Sequence, residues 1–521
     1  MTNSGLVLAG QEPGDVTGQT TSFDTVGPVR AFQNYIGGEW ADAAGGETFE
    51  SLSPATGEVL GTFPTSGAED VDRAVAAAKA AYEDWRLVPA PRRAEVLYRF
   101  ATLLAAEKDS VAELMSREMG KVLAEAGGDV QEAIDMSLYM AGEGRRMFGQ
   151  TTPSELRDKF MMSVRMPIGV IGVITPWNFP IAIPSWKIAP ALVCGNTVVF
   201  KPAHDTPLLG ERFVELLDAA GLPKGVVNIV HGFGRDVGEA IVRHPDVPVI
   251  TFTGSRETGI AVSTAAAQNL KHVHVELGGK NGIIVMDDAD VDLAVEGILW
   301  SAFGTTGQRC TAASRVIVHE AVYDALQGKL VARAEAMRLG PGWELETDVG
   351  PVINRAALDK IHAYTEIGKG EGARLLTGGE VATGNGLEHG FFYRPTVFGE
   401  VEAGMRIAQE EIFGPTTALI RVRSFDEAIE VANGVRYGLS SSIFTRDVNR
   451  AFRAMRDLQA GITYINAGTT GAEVHLPFGG TKDTGNGHRE AGQAALDVFT
   501  EWKAIYVDYS GKLQRAQIDV E

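Results

Sequence analysis

Cysteine is almost missing from this chain: Cys194 and Cys310 are the only two in 521 residues. Two cysteines cannot build a disulfide framework or a four-cysteine zinc site. The ten histidines show no H-x-x-x-H spacing, so we predict no metal site. A chain of this size without a disulfide framework is typical of a reducing compartment, and we expect a cytoplasmic protein.

Positive charge is also scarce. Lysine and arginine number 47 against 67 aspartates and glutamates, which gives a net charge of −20. A surface of that sign repels nucleic-acid phosphates and anionic lipid headgroups. We therefore expect neither nucleic acid nor a membrane as a partner.

Uninterrupted apolar runs of membrane-spanning length are lacking too. The most apolar stretch, Met166–Phe200, is interrupted by five prolines, which a lipid-exposed helix would not tolerate. Residues 1–30 are polar, carry no apolar signal segment and are predicted to form a flexible N-terminal arm.

The rest of the chain has an ordinary globular composition, with 45% hydrophobic and 22% charged residues. At about 150 residues per domain, its length predicts about two to four domains. Apolar residues at helical spacing predict four early helices. These are Asp70–Trp85, Ala94–Glu107, Ser110–Met119 and Gly128–Phe148.

From Gly169 onward, short β-branched runs alternate with helical patterns, which predicts βαβ units and parallel sheets. The alternation pauses at Gly278-Gly279 and then resumes, so two doubly wound α/β modules are expected. The predicted strands are Val170–Ile174, Thr197–Lys201, Val226–Val230, Val247–Thr253, Val273–Glu276, Ile283–Met286, Arg315–Val318, Leu419–Val422, Ser441–Phe444 and Gly461–Ile465.

We predict that residues 31–150 and 167–278 form the first module and residues 279–494 the second. Residues 151–166 and 495–521 fit neither module and contain extended patterns. Extended arms outside a core usually pair with something. We expect pairing with a neighbouring subunit rather than within the chain.

Cys310 is the first candidate for chemistry. It lies in the polar, glycine-rich segment Gly304–Thr311 after a predicted helix, and the adjacent Arg309 would favour its thiolate form. Cys194, in an apolar run, is interpreted as a buried structural side chain.

Two further polar residues follow predicted strands. Glu276 is flanked by strand and glycines, where a carboxyl of raised pKa could activate water. Asn178 lies between Pro176 and Pro180, where a side-chain amide could stabilise an oxyanion. Taken singly, Glu276 is more typical of a solvated carboxylate and Asn178 of a turn cap.

Two strand-to-helix turns could hold a dinucleotide. Gly232-x-Gly234-x-x-x-Gly238 departs by one residue from the standard fingerprint. Thr253-Gly254-Ser255 also opens a helix, whose free N–H groups suit a pyrophosphate. Lys201 ends a strand and could reach ribose hydroxyls.

Taken together and in order, these motifs resemble the aldehyde dehydrogenase superfamily. They are Pro-Trp-Asn178-Phe-Pro, Phe-Lys201-Pro, Phe252-Thr-Gly-Ser, Glu276-Leu-Gly-Gly-Lys, Gly-Gln-Arg-Cys310-Thr and Glu-Glu411-Ile-Phe-Gly-Pro. The resemblance runs from about Phe32 to Lys503. It implies a Rossmann-like NAD(P)-binding domain, a catalytic domain and a bridging β oligomerisation flap.

The resemblance also implies residue roles. Cys310 would be the nucleophile, Asn178 the oxyanion donor and Glu276 the base that hydrolyses the thioester, while Lys187 would lie near the proton-exit path. The cofactor, NAD or NADP, would be bound by Thr175, Pro176, Trp177, Lys201, His204, Gly234, Gly238, Phe252, Gly254, Ser255, Leu277, Glu411 and Phe413. The product would be a free carboxylic acid, and the partners a small aldehyde and further copies of the chain, as a homodimer or homotetramer.

Cofactor choice is expected to depend on His204. Many NAD-preferring relatives have a glutamate three residues after the lysine, and histidine there would not repel a 2′-phosphate. Arg256 adds a second cation. We therefore expect NADP+ to be accepted, alone or beside NAD+.

The segments around Glu118 and Arg309 resemble the antiquitin branch, which oxidises α-aminoadipate semialdehyde. That likeness implies substrate contacts at Glu118, Arg309 and Phe478. Leu476 and Pro477 depart from the branch, so 2-oxoglutarate semialdehyde and a broad range of aldehydes remain open. A thiol hydrolase without redox chemistry and a non-catalytic binding protein are the competing classes.

Overall fold

A computed structural model describes residues 29–519 of the chain. The flexible arm predicted for residues 1–30 lies outside the described residues, apart from Val29 and Arg30. The fold is α/β, with two seven-stranded sheets, one three-stranded sheet and two short strand pairs.

The strands are numbered in chain order. They are β1 (Asn34–Ile36), β2 (Glu39–Ala41), β3 (Thr48–Leu52), β4 (Val59–Pro64), β5 (Gln150–Pro153), β6 (Lys159–Pro167), β7 (Val170–Ile174), β8 (Thr197–Lys201), β9 (Val227–Ile229), β10 (Val249–Thr253), β11 (His272–Glu276), β12 (Asn281–Val285), β13 (Ala313–His319), β14 (Arg374–Thr377), β15 (Thr396–Gly399), β16 (Thr416–Val422), β17 (Tyr437–Gly438), β18 (Ser440–Phe444), β19 (Ile462–Ile465), β20 (Thr481–Lys482) and β21 (Thr500–Asp508).

The helices are numbered in the same way. They are α1 (Ala68–Trp85), α2 (Ala90–Ala106), α3 (Lys108–Met119), α4 (Leu123–Glu143), α5 (Ala182–Cys194), α6 (Pro207–Ala219), α7 (Glu239–Arg243), α8 (Arg256–Ala267), α9 (Val291–Phe303), α10 (Glu320–Glu335), α11 (Arg355–Gly370), α12 (Arg406–Gln409), α13 (Phe425–Asn433), α14 (Val448–Asp457) and α15 (Ala495–Val498). A π-helical turn covers Gly234–Gly238 and a 3-10 turn covers Gly304–Gly307.

The first large sheet has the order β11-β10-β7-β8-β9-β1-β2, and β7 to β11 run parallel. Its central strands are buried on both faces, as parallel strands usually are. On β8, Val198 and Phe200 pack with α2, α5 and α6, whereas Val199 packs with α1 and α7 on the opposite face. Helices on both faces make this a doubly wound module.

The second large sheet has the order β14-β15-β16-β13-β12-β18-β19 and is parallel except for β14. The same alternation organises it. Ile283 and Val285 of β12 pack with α9 and α10, while Ile284 packs with α13 and α14. The chain changes sheet between Glu276 and Asn281, and this places both glycines of Gly278-Gly279 between the two modules.

Some elements differ from the sequence-based expectation. The region before Asp70 contains the hairpins β1–β2 and β3–β4. The sequence pattern predicts a short strand at Ala31–Trp40, where β1 lies, but it predicts mainly helices in the first 120 ordered residues and no element at β3 and β4. The β1–β2 turn is made by Gly37 and Gly38, both at positive φ. Helix α11 and strands β14 and β15 lie in a stretch for which the pattern predicts no element.

The two extended arms pair with each other within the chain, so the expectation that they pair outside it is wrong for this ladder. Strand β6 is antiparallel to β21 along its whole length, from Pro167 opposite Thr500 to Lys159 opposite Asp508, and β5 pairs on its other side. This three-stranded sheet is the flap. Residues 495–498 form the short helix α15 rather than extended chain. Pairing of the flap with a neighbouring subunit stays a prediction, as do the exact domain boundaries.

Within residues 29–519, no helix combines the length and apolarity that crossing a bilayer requires. The same residues contain no group of three or more His, Cys, Asp and Glu side chains arranged to hold a metal ion.

Candidate active site

Cys310 stands on a constrained loop at the amino end of β13. Thr305 and Thr306 have φ of 52° and 56°, a left-handed conformation that is unusual for threonine. The Asn281 amide donates to the carbonyl of Cys310 at 2.7 Å. The loop is thereby fastened to β12, in the second module.

The Cys310 thiol is strongly perturbed. Burial, and after it the carboxylates of Glu411 and Glu276, raise its pKa to about 12. The expectation that Arg309 favours the thiolate is wrong in this state, because the Arg309 guanidinium pairs with Glu125 at 3.3 Å and covers the Trp300 ring at 4.6 Å. The resting nucleophile is therefore the protonated thiol.

Asn178 reaches this loop from the first module. It follows β7 and is buried, and its Nδ2 donates to the backbone carbonyl of Gln308 at 3.0 Å. An amide nitrogen has two N–H groups, so one remains for another acceptor beside the Cys310 loop.

Glu276 ends β11 in a buried position. Its Oε1 lies where a Cβ on Gly479 would approach to 2.5 Å, and its Oε2 has no hydrogen-bond partner among the described residues. Burial, followed by the charge of Glu490, raises the pKa of Glu276 well above its ordinary value. The charge of Glu276 in turn raises the pKa of Cys310, so the protonation of one group depends on that of the other.

Lys187 lies in the buried helix α5. Its Nζ donates to Thr251 Oγ1 at 2.9 Å and forms an ion pair with Glu490. Glu490 was not predicted from the sequence. The sequence offers only a weak signal for this residue, which is its position in the charged run His488-Arg489-Glu490 after the glycine-rich segment Gly479–Gly487.

The predicted nicotinamide-side residues come together across the two modules. Glu411 Oε1 accepts from the backbone N–H of Gly279 at 2.9 Å, and a Cβ on Gly278 would lie 2.2 Å from Glu411 Oε2. Burial raises the pKa of Glu411. Phe413, at φ 62°, meets the Trp177 ring edge-to-face with centroids 5.5 Å apart. A small cavity, partly open to solvent, borders Glu411 and Phe413.

The predicted ribose-side residues gather at the carboxyl end of β8. Lys201 is buried and donates to the carbonyl of Pro202 at 2.8 Å, and burial lowers its pKa to about 8. The backbone N–H of Thr175 donates to the Lys201 carbonyl at 3.2 Å, which joins the Thr175–Pro176 turn to this edge. A Cβ on Gly238 would lie 3.8 Å from the Lys201 stem, and Gly234 faces open space.

His204 is half-exposed beside these residues. Its Nε2 is 3.6 Å from Asp205, and its ring packs on Phe233 with centroids 5.1 Å apart. Arg256, the other cation expected to favour a 2′-phosphate, donates to Asp483 at 2.9 Å. Its charge is thus already paired.

The second predicted turn, Thr253-Gly254-Ser255, opens helix α8. Ser255 caps the helix by accepting from the Thr258 N–H, and the N–H groups of Arg256 and Glu257 remain available. The Phe252 ring packs under Gly254, where a Cβ would clash at 2.5 Å, and Leu277 packs against Gly259 of the same helix. A residue larger than glycine at position 254 would therefore have to displace the Phe252 ring.

Of the three predicted substrate contacts, Glu118 needs correction. It is fully buried, and its carboxylate accepts from Ser51 and from the first backbone N–H groups of α6, at Leu208 and Leu209. Both oxygens are used in this helix cap, so Glu118 is structural. Glu125, which sequence reasoning missed, is the carboxylate that pairs with Arg309. It also accepts from the backbone N–H of Thr305 at 2.7 Å.

Phe478 packs edge-to-face on Trp186 with centroids 4.8 Å apart. Its backbone exchanges two hydrogen bonds with Glu490, of 2.6 and 2.8 Å. This places Phe478 directly beside the Lys187–Glu490 pair.

The chain is similar to known proteins in sequence and in fold. The sequence model of the aldehyde dehydrogenase family matches residues 40–505. An alpha-ketoglutarate semialdehyde dehydrogenase of Haloferax volcanii is 44% identical over 479 residues, 92% of this chain and 99% of the relative. The alpha-ketoglutaric semialdehyde dehydrogenase of Bacillus subtilis is 42% identical over 477 residues, with 91% and 98% covered.

A solved structure gives the same result for the fold. Betaine aldehyde dehydrogenase of Staphylococcus aureus, crystallised in complex with NAD+, superposes with a TM-score of 0.90 at 35% identity, covering 92% of this chain and 96% of that chain.

Proposed function

Since this chain belongs to the aldehyde dehydrogenase family and is an NAD(P)+-dependent oxidoreductase, we propose that it oxidises a carboxylate-bearing semialdehyde to the free acid. The observation that carries the proposal is the buried carboxyl of Glu276 in electrostatic contact with the Cys310 thiol. A thiol that captures the aldehyde, next to a base that activates water, supports oxidation followed by hydrolysis.

We propose that Cys310 attacks the aldehyde carbon. The thiol proton must leave as the carbon–sulfur bond forms, because the resting pKa is about 12. Glu276 is the neighbouring group whose raised pKa makes it a competent acceptor at neutral pH. The oxygen of the carbonyl becomes negative in this step, and the free N–H of Asn178 with the backbone N–H of Cys310 would bind it.

The residues around the cleft fit a nicotinamide dinucleotide. The first turn of α8 offers N–H groups to a pyrophosphate, and the buried Thr253 Oγ1 beside it has no partner among the described residues. Lys201 would bind the adenosine ribose and Glu411 the nicotinamide ribose. NAD(P)+, when bound, supplies the acceptor for the hydride, and a Cys310 thioester remains.

Hydrolysis then falls to Glu276. Glu276 first releases to solvent the proton that it accepted from the thiol. Its carboxylate then takes a proton from water as the water oxygen attacks the thioester carbon, and it passes this proton to the departing sulfur, so that Cys310 leaves as the thiol. Lys187 joins Glu490 to the Thr251 hydroxyl, and the charges of Glu490 and Lys187 act on the Glu276 carboxyl. We propose that this ion pair tunes the proton affinity of Glu276.

The names of two similar proteins indicate a narrower choice of aldehyde substrate. Two proteins named for alpha-ketoglutarate semialdehyde, which is 2-oxoglutarate semialdehyde, share 42% and 44% of their residues with this chain. Arg309, one residue from the nucleophile, is the cation nearest in sequence for the substrate carboxylate, and Glu125 holds it in place. We propose 2-oxoglutarate semialdehyde or a close homologue as the substrate.

The test is a substrate panel followed by absorbance of the reduced cofactor. We expect kcat/KM for 2-oxoglutarate semialdehyde to exceed that for hexanal by about 100-fold, equal to about 2.7 kcal/mol. The variant Arg309→Met should remove most of that preference, with Arg338→Met, a distant arginine, as control. Equal kcat/KM for both aldehydes would instead identify a broad-specificity enzyme.

We further propose that NADP+ is accepted beside NAD+. The supporting observation is that His204, not a carboxylate, stands next to Phe233 at the ribose edge, although Arg256 is paired with Asp483. A preference for NAD+ beyond about 100-fold in kcat/KM would contradict dual use.

We also propose that the protein is a homodimer or homotetramer in the cytoplasm. The flap carries large apolar side chains in contact with water, since Trp502 is 52% and Tyr506 64% exposed. Light scattering should give a multiple of the 55.6 kDa subunit mass. Trp502→Lys should shift the equilibrium toward the monomer, and a monomeric parent protein would contradict the oligomer.

A further inference from the structure

A second cavity, small and partly open to solvent, lies at the amino-terminal ends of β12 and β18. It shares no lining residue with the cavity beside Glu411. Its charged lining residues are Lys280, Arg315 and Lys482, and no aspartate or glutamate among the described residues lines it. For a chain of net charge −20, a cavity with cations alone is unexpected.

Lys280 is the innermost of the three. Its side chain is buried, and its Nζ donates no hydrogen bond to any group in residues 29–519. Burial, and then the nearby charge of Arg315, lower its pKa to about 7. An ammonium group without partners is costly in such a place, so Lys280 gains from any anion that arrives.

Arg315 and Lys482 have partners, but only backbone carbonyls. Arg315 donates to Lys280, Val431 and Ala432, and Lys482 donates to Asn433 and Val435. Most of these carbonyls end helix α13, which explains why cations stand there. The bonds still leave N–H groups of both side chains unused, and neither forms a salt bridge within the described part of the chain.

We propose that the Lys280–Arg315–Lys482 cavity binds a small tetrahedral oxyanion of the phosphate or sulfate class. Such an anion accepts several charge-assisted hydrogen bonds at once, which matches donors of one sign around a small space. The inference does not rest on the proposed substrate, and it concerns a site separate from the cofactor cleft.

The cavity is adjacent in sequence to both halves of the active site. Lys280 follows Gly279, whose N–H binds Glu411, and precedes Asn281, whose amide holds the carbonyl of Cys310. A bound anion would therefore contact Lys280, the residue between Gly279 and Asn281 in the chain.

The experiment measures sulfate binding to the intact enzyme saturated with NAD+, which fills the phosphate positions of the cofactor cleft. Sulfate keeps its charge between pH 6 and 8, so it isolates the protein's own titration. Thermal shifts and calorimetry in sodium sulfate are compared with sodium chloride at equal ionic strength. We expect saturable, sulfate-specific stabilisation.

Two variants and a control define the site. Lys280→Met should weaken sulfate binding by at least about tenfold, and Lys482→Met, at a more exposed position, should weaken it less. Lys369→Met, on the outer face of α11, should leave it unchanged. Because Lys482→Met alters an accessible side chain, it keeps the test decisive if Lys280→Met fails to fold.

The pH dependence supplies an independent readout. The charged groups that face Lys280 are Arg315, Glu411, Lys360 and Glu410. None is a histidine, but burial raises the pKa of Glu411, so the Lys280→Met variant, which should lose the pH dependence, assigns the change to Lys280. Sulfate affinity should fall about tenfold from pH 6 to pH 8 as Lys280 loses its proton.

Several outcomes would overturn the proposal. They are stabilisation by sulfate no greater than by chloride, sulfate affinity equal in parent and Lys280→Met, or affinity independent of pH. None of these would affect the aldehyde proposal, which is tested with substrate and without sulfate.

Discussion

Lys187 and Glu490 form an ion pair in the interior of the protein, although 303 residues separate them in sequence. The pair lies next to Glu276, and its two charges act on that carboxyl in opposite directions. Glu490 raises the pKa of Glu276, and Lys187 lowers it.

This arrangement predicts opposite pH shifts in two variants. Glu490→Gln removes a negative charge, so the pKa of Glu276 should fall and the acid limb of the kcat profile should move to lower pH by about one unit. Lys187→Met removes a positive charge and should move the limb to higher pH. Steady-state rates from pH 5 to 9 provide the measurement. Shifts in the same direction would refute the electrostatic coupling.

Glu276→Gln should separate the two half-reactions. Without a base for water, we expect steady-state kcat to fall by about 10²–10⁴-fold. If another group accepts the thiol proton, a burst of about one reduced cofactor per subunit should remain, and mass spectrometry should detect an acylated Cys310. An unchanged steady state would remove Glu276 from hydrolysis.

Asn178→Ala should act on the developing oxyanion. Loss of one such donor is expected to lower kcat by about 10²–10³-fold, with a smaller change in KM. Asn269→Ala, at an exposed position on the first module, is the matched control. A rise in KM with unchanged kcat would show that Asn178 binds the ground state instead.

Glu118→Ala should affect stability rather than substrate binding. Its carboxylate caps α6, so we expect a loss of about 1–3 kcal/mol in the free energy of unfolding, measured by chemical denaturation. Glu113→Ala, on the exposed face of the same helix α3, should cost far less. A selective rise in KM for amino-bearing semialdehydes would restore the substrate role that the sequence predicted.

His204→Glu should change the choice of cofactor. A carboxylate at this position would repel a 2′-phosphate, and we expect kcat/KM for NADP+ to fall at least about tenfold while that for NAD+ changes little. His204→Gln controls for loss of the ring without added charge. Equal losses with both cofactors would indicate damage to the site instead.

The sequence predicts the sheets well because their strands are buried on both faces and consist of β-branched runs, as at Val170–Ile174 and Thr197–Lys201. It also predicts a short strand at Ala31–Trp40, where β1 lies, but it misses β3 and β4, because strands of five and six residues give only a weak periodic signal. Helix α5 is buried at every position except Ile183, so its sequence shows no apolar–polar period.

The site was predictable to the extent that its residues fall in local motifs. Cys310, Glu276 and Asn178 each stand in one, and the structure brings their loops together. The orientation of the Arg309 side chain was not predictable, since its partner Glu125 lies far away in sequence, on helix α4. Glu490 was missed for the same reason, because its role depends on the ion pair with Lys187.

The β6–β21 ladder has a consequence for synthesis. Arg165 on β6 contacts Asp497 at the start of the returning segment, 332 residues later. At about 5–20 residues per second, a ribosome needs tens of seconds to produce that stretch. During this time β6 has emerged without its main partner, and its unpaired edge exposes Met162 and Val164 to other nascent or unfolded chains. The nascent chain thus passes through a vulnerable interval that ends only when β21 arrives.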